Sequence, residues 1–149
     1  MRESLLFMSS IISCMEELGL EPVSPCPIKQ FASQNQPDLS LKAGFVAINT
    51  IHCKEHYRER FECLFCSRAR MIDEMPGFIG MNVLKCKAEG EPYLVVSYWE
   101  SEAHFDAWVG SPQFYEGHKR AFADLKAYKE RGEEPPMHSD FKTYAVLTD

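Results

Sequence analysis

The chain has 149 residues, 45% hydrophobic and 26% charged, the balance of an ordinary globular protein with enough length for a real core. Twenty-two acidic residues against sixteen Lys and Arg give a net charge of −6 with no basic run, which argues against a nucleic-acid surface. No apolar stretch approaches the length of a bilayer span.

The first segment, "MRESLLFMSSIISCM", carries one Arg and an apolar run that starts late and is interrupted, unlike a secretory signal. "IISC" at 11–14 faintly resembles a lipoprotein cleavage box, but the run before it is very short and holds Glu3. Leu5, Leu6, Met8, Ile12, Met15 and Leu18 fit an amphipathic helix, packed on the domain or on a partner. Residues 21–43 hold Pro22, Pro25, Pro27 and Pro37 and the polar stretch "ASQNQPDLS", an irregular arm or linker. Residues 1–43 are therefore expected to be an N-terminal extension, and 44–149 the domain.

"GFVAINTI", 44–51, reads as a strand with Phe45, Ala47, Asn49 and Ile51 on one face and Val46, Ile48 and Thr50 on the other. Both faces are mostly apolar, so both should be covered. Residues 54–75 predict a helix with a stripe of Tyr57, Phe61, Leu64, Phe65, Ile72 and Met75, ended by Pro76-Gly77. "GFIGMNVLKC", 77–86, and "YLVVSYW", 93–99, form a hairpin across "KAEGEP". Ser101 is placed to cap a short helix, 102–109, and a longer helix follows at 112–130. A polar loop, "RGEEPPMHS", leads to a last strand, 141–147. The order βαββαβ predicts an α+β, ferredoxin-like domain with an antiparallel sheet and helices on one face. The second apolar face predicts a homodimer packed sheet against sheet.

Three residues sit oddly in this pattern. His118 lies four residues after Phe114 and four before Phe122, on the inward face of its helix. One reading is a core histidine satisfied by its neighbours; the other is a neutral imidazole offered to a metal, for which a flat apolar cofactor such as haem matches both the histidine and the phenylalanines. Asn49 lies mid-strand among apolar residues, where a buried amide needs a partner, either a backbone group or a bound oxygen species. Trp108 ends the short helix before Gly110, as a core aromatic or as a rigid wall against a cofactor.

The six cysteines read as reduced, cytosolic thiols. Cys53, His56, Cys63 and Cys66 are a weak zinc set, since their spacing fits no common knuckle. His52 and His56 read as surface histidines, while Met137 or His138 could reach the pocket from the loop. Gly-rich phosphate loops, nucleophile elbows and paired-carboxylate clusters are absent from the sequence.

The stretch from Phe45 to Leu147, with "YLVVSYWESEAHFDAWVGSPQF" as its strand–turn–helix passage, resembles the antibiotic-biosynthesis-monooxygenase superfamily of dimeric α/β-barrel proteins. The sharper resemblance is to its haem-degrading, IsdG-type branch, through Asn49 in "AINTI", Trp108 in "DAWVGS" and His118 in "EGHKRA", with the ten-residue step from Trp108 to His118 kept. The resemblance implies haem as both substrate and cofactor, O2, and an external electron donor, either a reductase or a small reductant. It implies His118 as proximal ligand to haem iron, Asn49 as a distal hydrogen-bond donor, and Trp108 as the residue that presses the porphyrin out of plane, with Phe114 and Phe122 lining the site. It also implies ring opening and iron release by a cytoplasmic homodimer. The other readings are a cofactor-independent monooxygenase acting on a quinol or similar aromatic, and a haem-binding carrier or sensor.

Overall fold

The computed structural model describes residues 43–148. The expected helix near the N-terminus, the proline-containing arm, Cys14 and Cys26 lie outside the described residues.

Strand β1 (Phe45–Cys53) is central. It pairs antiparallel with β3 (Tyr93–Trp99) on one side and with β4 (Met137–Ala145) on the other. Strand β2 (Phe78–Lys85) pairs antiparallel with β3, giving the order β2-β3-β1-β4 expected of a ferredoxin-like sheet. Alternation along β1 puts Phe45, Ala47, Asn49 and Ile51 on one face, with Trp99, Ser97, Val95 and Tyr93 opposite them on β3.

Helices α1 (Arg58–Cys66), α2 (Glu102–Val109) and α3 (Pro112–Glu130) cover that face. Their side chains complete two apolar clusters. Phe45, Ala47, Trp99, Phe105, Trp108 and Phe114 make one; Ile51, Tyr57, Phe61, Leu64 and Tyr93 make the other. The start of α3 follows its sequence signal: Pro112 sits in the first turn and the Ser111 hydroxyl accepts a hydrogen bond from the Phe114 N–H at 3.2 Å. Ser101 occupies the cap position of α2, but its hydroxyl bonds to His104 Nδ1 at 3.0 Å rather than to the helix backbone. No described helix is long and apolar enough to cross a membrane.

Two elements differ from expectation. The single helix expected over 54–75 is three pieces: a 3-10 turn at Glu55–Tyr57, α1, and a second 3-10 turn at Met71–Glu74. Residues 67–70 break it, and Arg70 adopts the left-handed conformation at φ 58°. The break is stitched by polar groups. Ser67 Oγ donates to the Cys63 carbonyl at 3.0 Å. Arg120 reaches over from α3 and donates to the carbonyls of Leu64 and Ser67 and to Ser67 Oγ, each at 2.8 Å. Carbonyls that the end of α1 leaves without helical partners are thereby satisfied. Ile72 and Met75 still pack on the first cluster, so the apolar stripe survives the break that it hides.

The last strand begins at Met137 rather than 141, and the loop shrinks accordingly. "MHSD" pairs with the end of β1, through Cys53↔Met137, His52↔His138, Ile51↔Ser139 and Thr50↔Asp140. His138 and Asp140 belong to the second face of the sheet and Ser139 to the first, so no apolar alternation marks the segment, which is why it reads as a loop in isolation. That second face also carries Val46, Ile48, Leu94, Val96 and Tyr98, and Leu84 and Tyr144 stand exposed at 48% and 47%.

Candidate active site

Between sheet and helices lies a cavity of about 240 Å³ that borders both apolar clusters. Asn49, Trp108, Phe114, His118 and Phe122, the residues singled out from sequence, all line it. They arrive from β1, α2 and α3, so the fold brings together what the chain separates.

His118 enters from α3. Its Nδ1 lies 2.7 Å from the carbonyl oxygen of Phe114, one turn back. A carbonyl only accepts, so Nδ1 carries the proton and Nε2 keeps its lone pair. Burial pushes the His118 pKa below its usual 6.5, opposed by the weaker effect of that hydrogen bond. The ring is therefore neutral at neutral pH. The Phe114 and Phe122 rings flank it, with centroids 4.2 and 5.6 Å away. The satisfied-core reading of His118 meets only half its requirement, since one nitrogen has a partner and the other remains a donor atom for a ligand.

Trp108 is 5% exposed, with its ring edge-on to Phe114 at 5.3 Å and 6.1 Å from the His118 ring. The geometry makes it a rigid wall beside the imidazole.

Asn49 rises from the sheet side. Its Oδ1 is fully buried and has no hydrogen-bond partner. An orphaned buried acceptor costs about 1–3 kcal/mol and calls for an explanation. Here the explanation on offer is a donor that arrives with a ligand. A half-turn of the amide exchanges Oδ1 with Nδ2, so the same position can take a hydrogen bond or give one. Next to it on the same face, Ser97 Oγ accepts from Trp99 Nε1 at 3.0 Å.

The broken segment supplies wall residues that sequence reading missed: Arg68, Arg70, Met71 and Ile72. Arg68 is held by Asp73 through bonds of 2.7 and 3.2 Å, whereas the Arg70 side chain is 77% exposed and 3.9 Å from Asp73. Cationic groups thus sit at the wall of an otherwise apolar chamber. The only available signal was the local cluster "SRAR", whose place depends on a helix break that the apolar stripe conceals.

The weak zinc set does not assemble: among the described residues, Cys53, His56, Cys63 and Cys66 do not converge as a ligand group. Burial raises the Cys53 pKa to about 11, so it is a protonated thiol at neutral pH. Tyr57, Arg60 and Asp124 form a structural network instead. The phenol donates to Asp124 at 2.7 Å and the guanidinium at 2.8 and 3.2 Å.

The arrangement suits a largely apolar ligand with a Lewis-acidic centre for Nε2, a partner for a buried amide, and a negative edge near the arginines. Its lining contains no cysteine, aspartate or glutamate.

Comparison with known proteins agrees with this geometry. The family model for antibiotic biosynthesis monooxygenase matches residues 44–120. The chain is 34% identical over 76 residues to a heme oxygenase (mycobilin-producing) of Mycobacterium tuberculosis, a match that spans 50% of this chain and 72% of that protein. It is 32% identical over 77 residues to a heme oxygenase (staphylobilin-producing) of Staphylococcus haemolyticus, spanning 50% and 73%. Among solved structures, the heme-degrader MhuD of M. tuberculosis with two hemes bound in its active site superposes with a TM-score of 0.52 at 26% identity, over 70% of this chain and 97% of that one. This chain belongs to the antibiotic biosynthesis monooxygenase family.

Proposed function

We propose that this protein is a haem-degrading monooxygenase of the IsdG type. The observation that carries the reading is His118: a neutral imidazole, held by its Nδ1 proton to the helix backbone, with Nε2 unprotonated in an apolar cavity that also contains a buried amide short of a partner. That donor set fits haem iron on one side and a polar ligand on the other. The names of its relatives point the same way.

Bound haem would supply the iron at which O2 is activated with electrons from an external donor, and its own ring would be the carbon that is oxidised, with iron released on ring opening. The chain's own residues set the conditions. His118 would hold the iron through Nε2. The Phe114 carbonyl fixes the imidazole's tautomer and orientation. Trp108 and Phe114 would limit where a flat ring can lie, with Trp108 as the rigid wall against it. Asn49 would hold a hydrogen bond on the sheet side, while Phe105, Val95 and Phe141 keep that side poor in water. The arginines near the wall suit the carboxylates of a porphyrin edge.

The apolar second sheet face supports a homodimer packed through that face. The described cysteines are not joined in disulfides, in keeping with a cytoplasmic enzyme. Residues 1–43 we take as an extension outside the catalytic domain.

The test is a hemin absorbance titration followed by ascorbate in air, on the protein and on His118→Ala. A saturable Soret band that needs His118 and then bleaches as bilin absorbance rises is the expected result. A band that persists under reductant makes the protein a carrier or sensor. Failure to bind hemin stoichiometrically returns His118 to the core and moves the search to quinol-like substrates.

A further inference from the structure

One cluster of potential ligands lies outside the cavity just described. In the β1–β4 pairing His52 stands directly opposite His138, and alternation along β4 puts Asp140 on the same face, one pair further on. The two imidazoles stack in parallel, 4.5 Å apart and 4° from coplanar alignment. His52 Nε2 lies 3.2 Å from Asp140 Oδ2. One donor atom from each of the three residues falls within 4.8 Å of the others. The side chains of His52 and Asp140 are 40% and 64% exposed, so a hydrated ion can reach them.

We propose that His52, His138 and Asp140 form a divalent transition-metal site whose occupant is ferrous ion. Two imidazoles and one carboxylate, with remaining positions open to water, are the donor set that non-haem Fe(II) accepts. Metal–nitrogen bonds near 2.1 Å require the donors to close by roughly an ångström, which rotation of exposed side chains provides. The register already brings the three residues together on paired strands, so little backbone ordering remains to oppose binding.

The donor set supplies the reason for iron. His52, His138 and Asp140 alternate with Ile51 and Ser139 on the paired strands, so their side chains stand on the face of the sheet opposite the cavity. The site lies at one end of the β1–β4 pair, on the edge strand β4, with Asp140 level with Leu94 of β3 through Thr50. The choice of iron as cargo rests on the haem-degrading reading; the metal site itself rests on the geometry of the three side chains alone.

The experiment is a titration of the haem-free, full-length protein with Co2+, followed by its visible ligand-field bands, and then with Fe2+ without oxygen. One equivalent per chain should bind. His52→Ala and Asp140→Asn should each weaken binding at least about tenfold, while His56→Ala, at a histidine bonded to Tyr128, should leave it unchanged. A hemin titration of the same variants should be unaltered. Absence of saturable Co2+ binding, or equal binding in His52→Ala, overturns the site. Loss of hemin binding by the unmodified protein would count against the haem reading and would leave the Co2+ result standing.

Discussion

Replacing Asn49 by leucine should stabilise the haem-free protein while it harms function. The amide oxygen is buried with no hydrogen-bond partner. A neutral acceptor left in that state costs about 1–3 kcal/mol against a partnered one. Leucine keeps the branch at the γ carbon and removes both polar atoms, and its larger volume projects toward a cavity of about 240 Å³ with room to take it. The expected gain is about 1–2 kcal/mol, once roughly 1 kcal/mol for a less favourable fit is set against burial of new apolar surface. In urea, with a slope of about 2 kcal/mol/M, the midpoint moves up by roughly 0.5–1 M. Hemin affinity should change little, since His118 supplies the iron bond, whereas turnover with ascorbate should fall by about 10²-fold or more. If Asn49→Leu lowers the midpoint, the oxygen is partnered in solution and the argument for a ligand-side donor fails.

Other outcomes follow from the same geometry. Because the folded pKa of His118 lies below 6.5, its stabilising effect on the fold is complete above about pH 6.5 and is lost as pH falls through the folded value. Hemin affinity should run level from pH 8 to 6.5 and weaken only below that; a midpoint at or above 6.5 in a Soret titration would show that the ring is not desolvated. Arg120→Ala removes three hydrogen bonds to the end of α1, one of them to the part-buried Leu64 carbonyl, and should cost about 2 kcal/mol in urea denaturation. Arg120→Lys should recover part of that loss, and a change below 0.5 kcal/mol would mean the break at 67–70 is held by other contacts. Deleting residues 1–40 should leave hemin binding intact, and loss of binding in a titration of the truncated chain would move the domain boundary.

The parts of the fold legible in sequence are those fixed by local signals. Helix α3 announces itself through Ser111, Pro112 and its apolar spacing, and β3 through an unbroken run of strand-forming residues. Those same local periods placed Asn49 and His118 on inward faces, and both line the cavity together with Trp108, which stood out as the aromatic that ends α2. What escaped was decided by distant residues. The break after α1 depends on Arg120, more than fifty positions away, and on a left-handed Arg70 that no propensity predicts. The early start of β4 depends on pairing with Ile51, His52 and Cys53, which a polar segment behind Pro135 and Pro136 does not advertise. The arginine-bearing wall was missed for the first reason, and the His52–His138–Asp140 group for the second.

The hydrogen bond between His118 and Phe114 also bears on redox poise. The Phe114 carbonyl is an uncharged acceptor that also serves the α3 backbone, so it draws less on the imidazole proton than a carboxylate would. The ring keeps little anionic character and would push less electron density onto a bound haem iron, whose reduced state would then be accessible at a higher potential. On the haem-degrading reading, a mild electron donor would suffice to drive the site. Replacing the carbonyl's influence with a carboxylate within reach of Nδ1 would lower the midpoint in a potentiometric titration and narrow the range of reductants that support turnover.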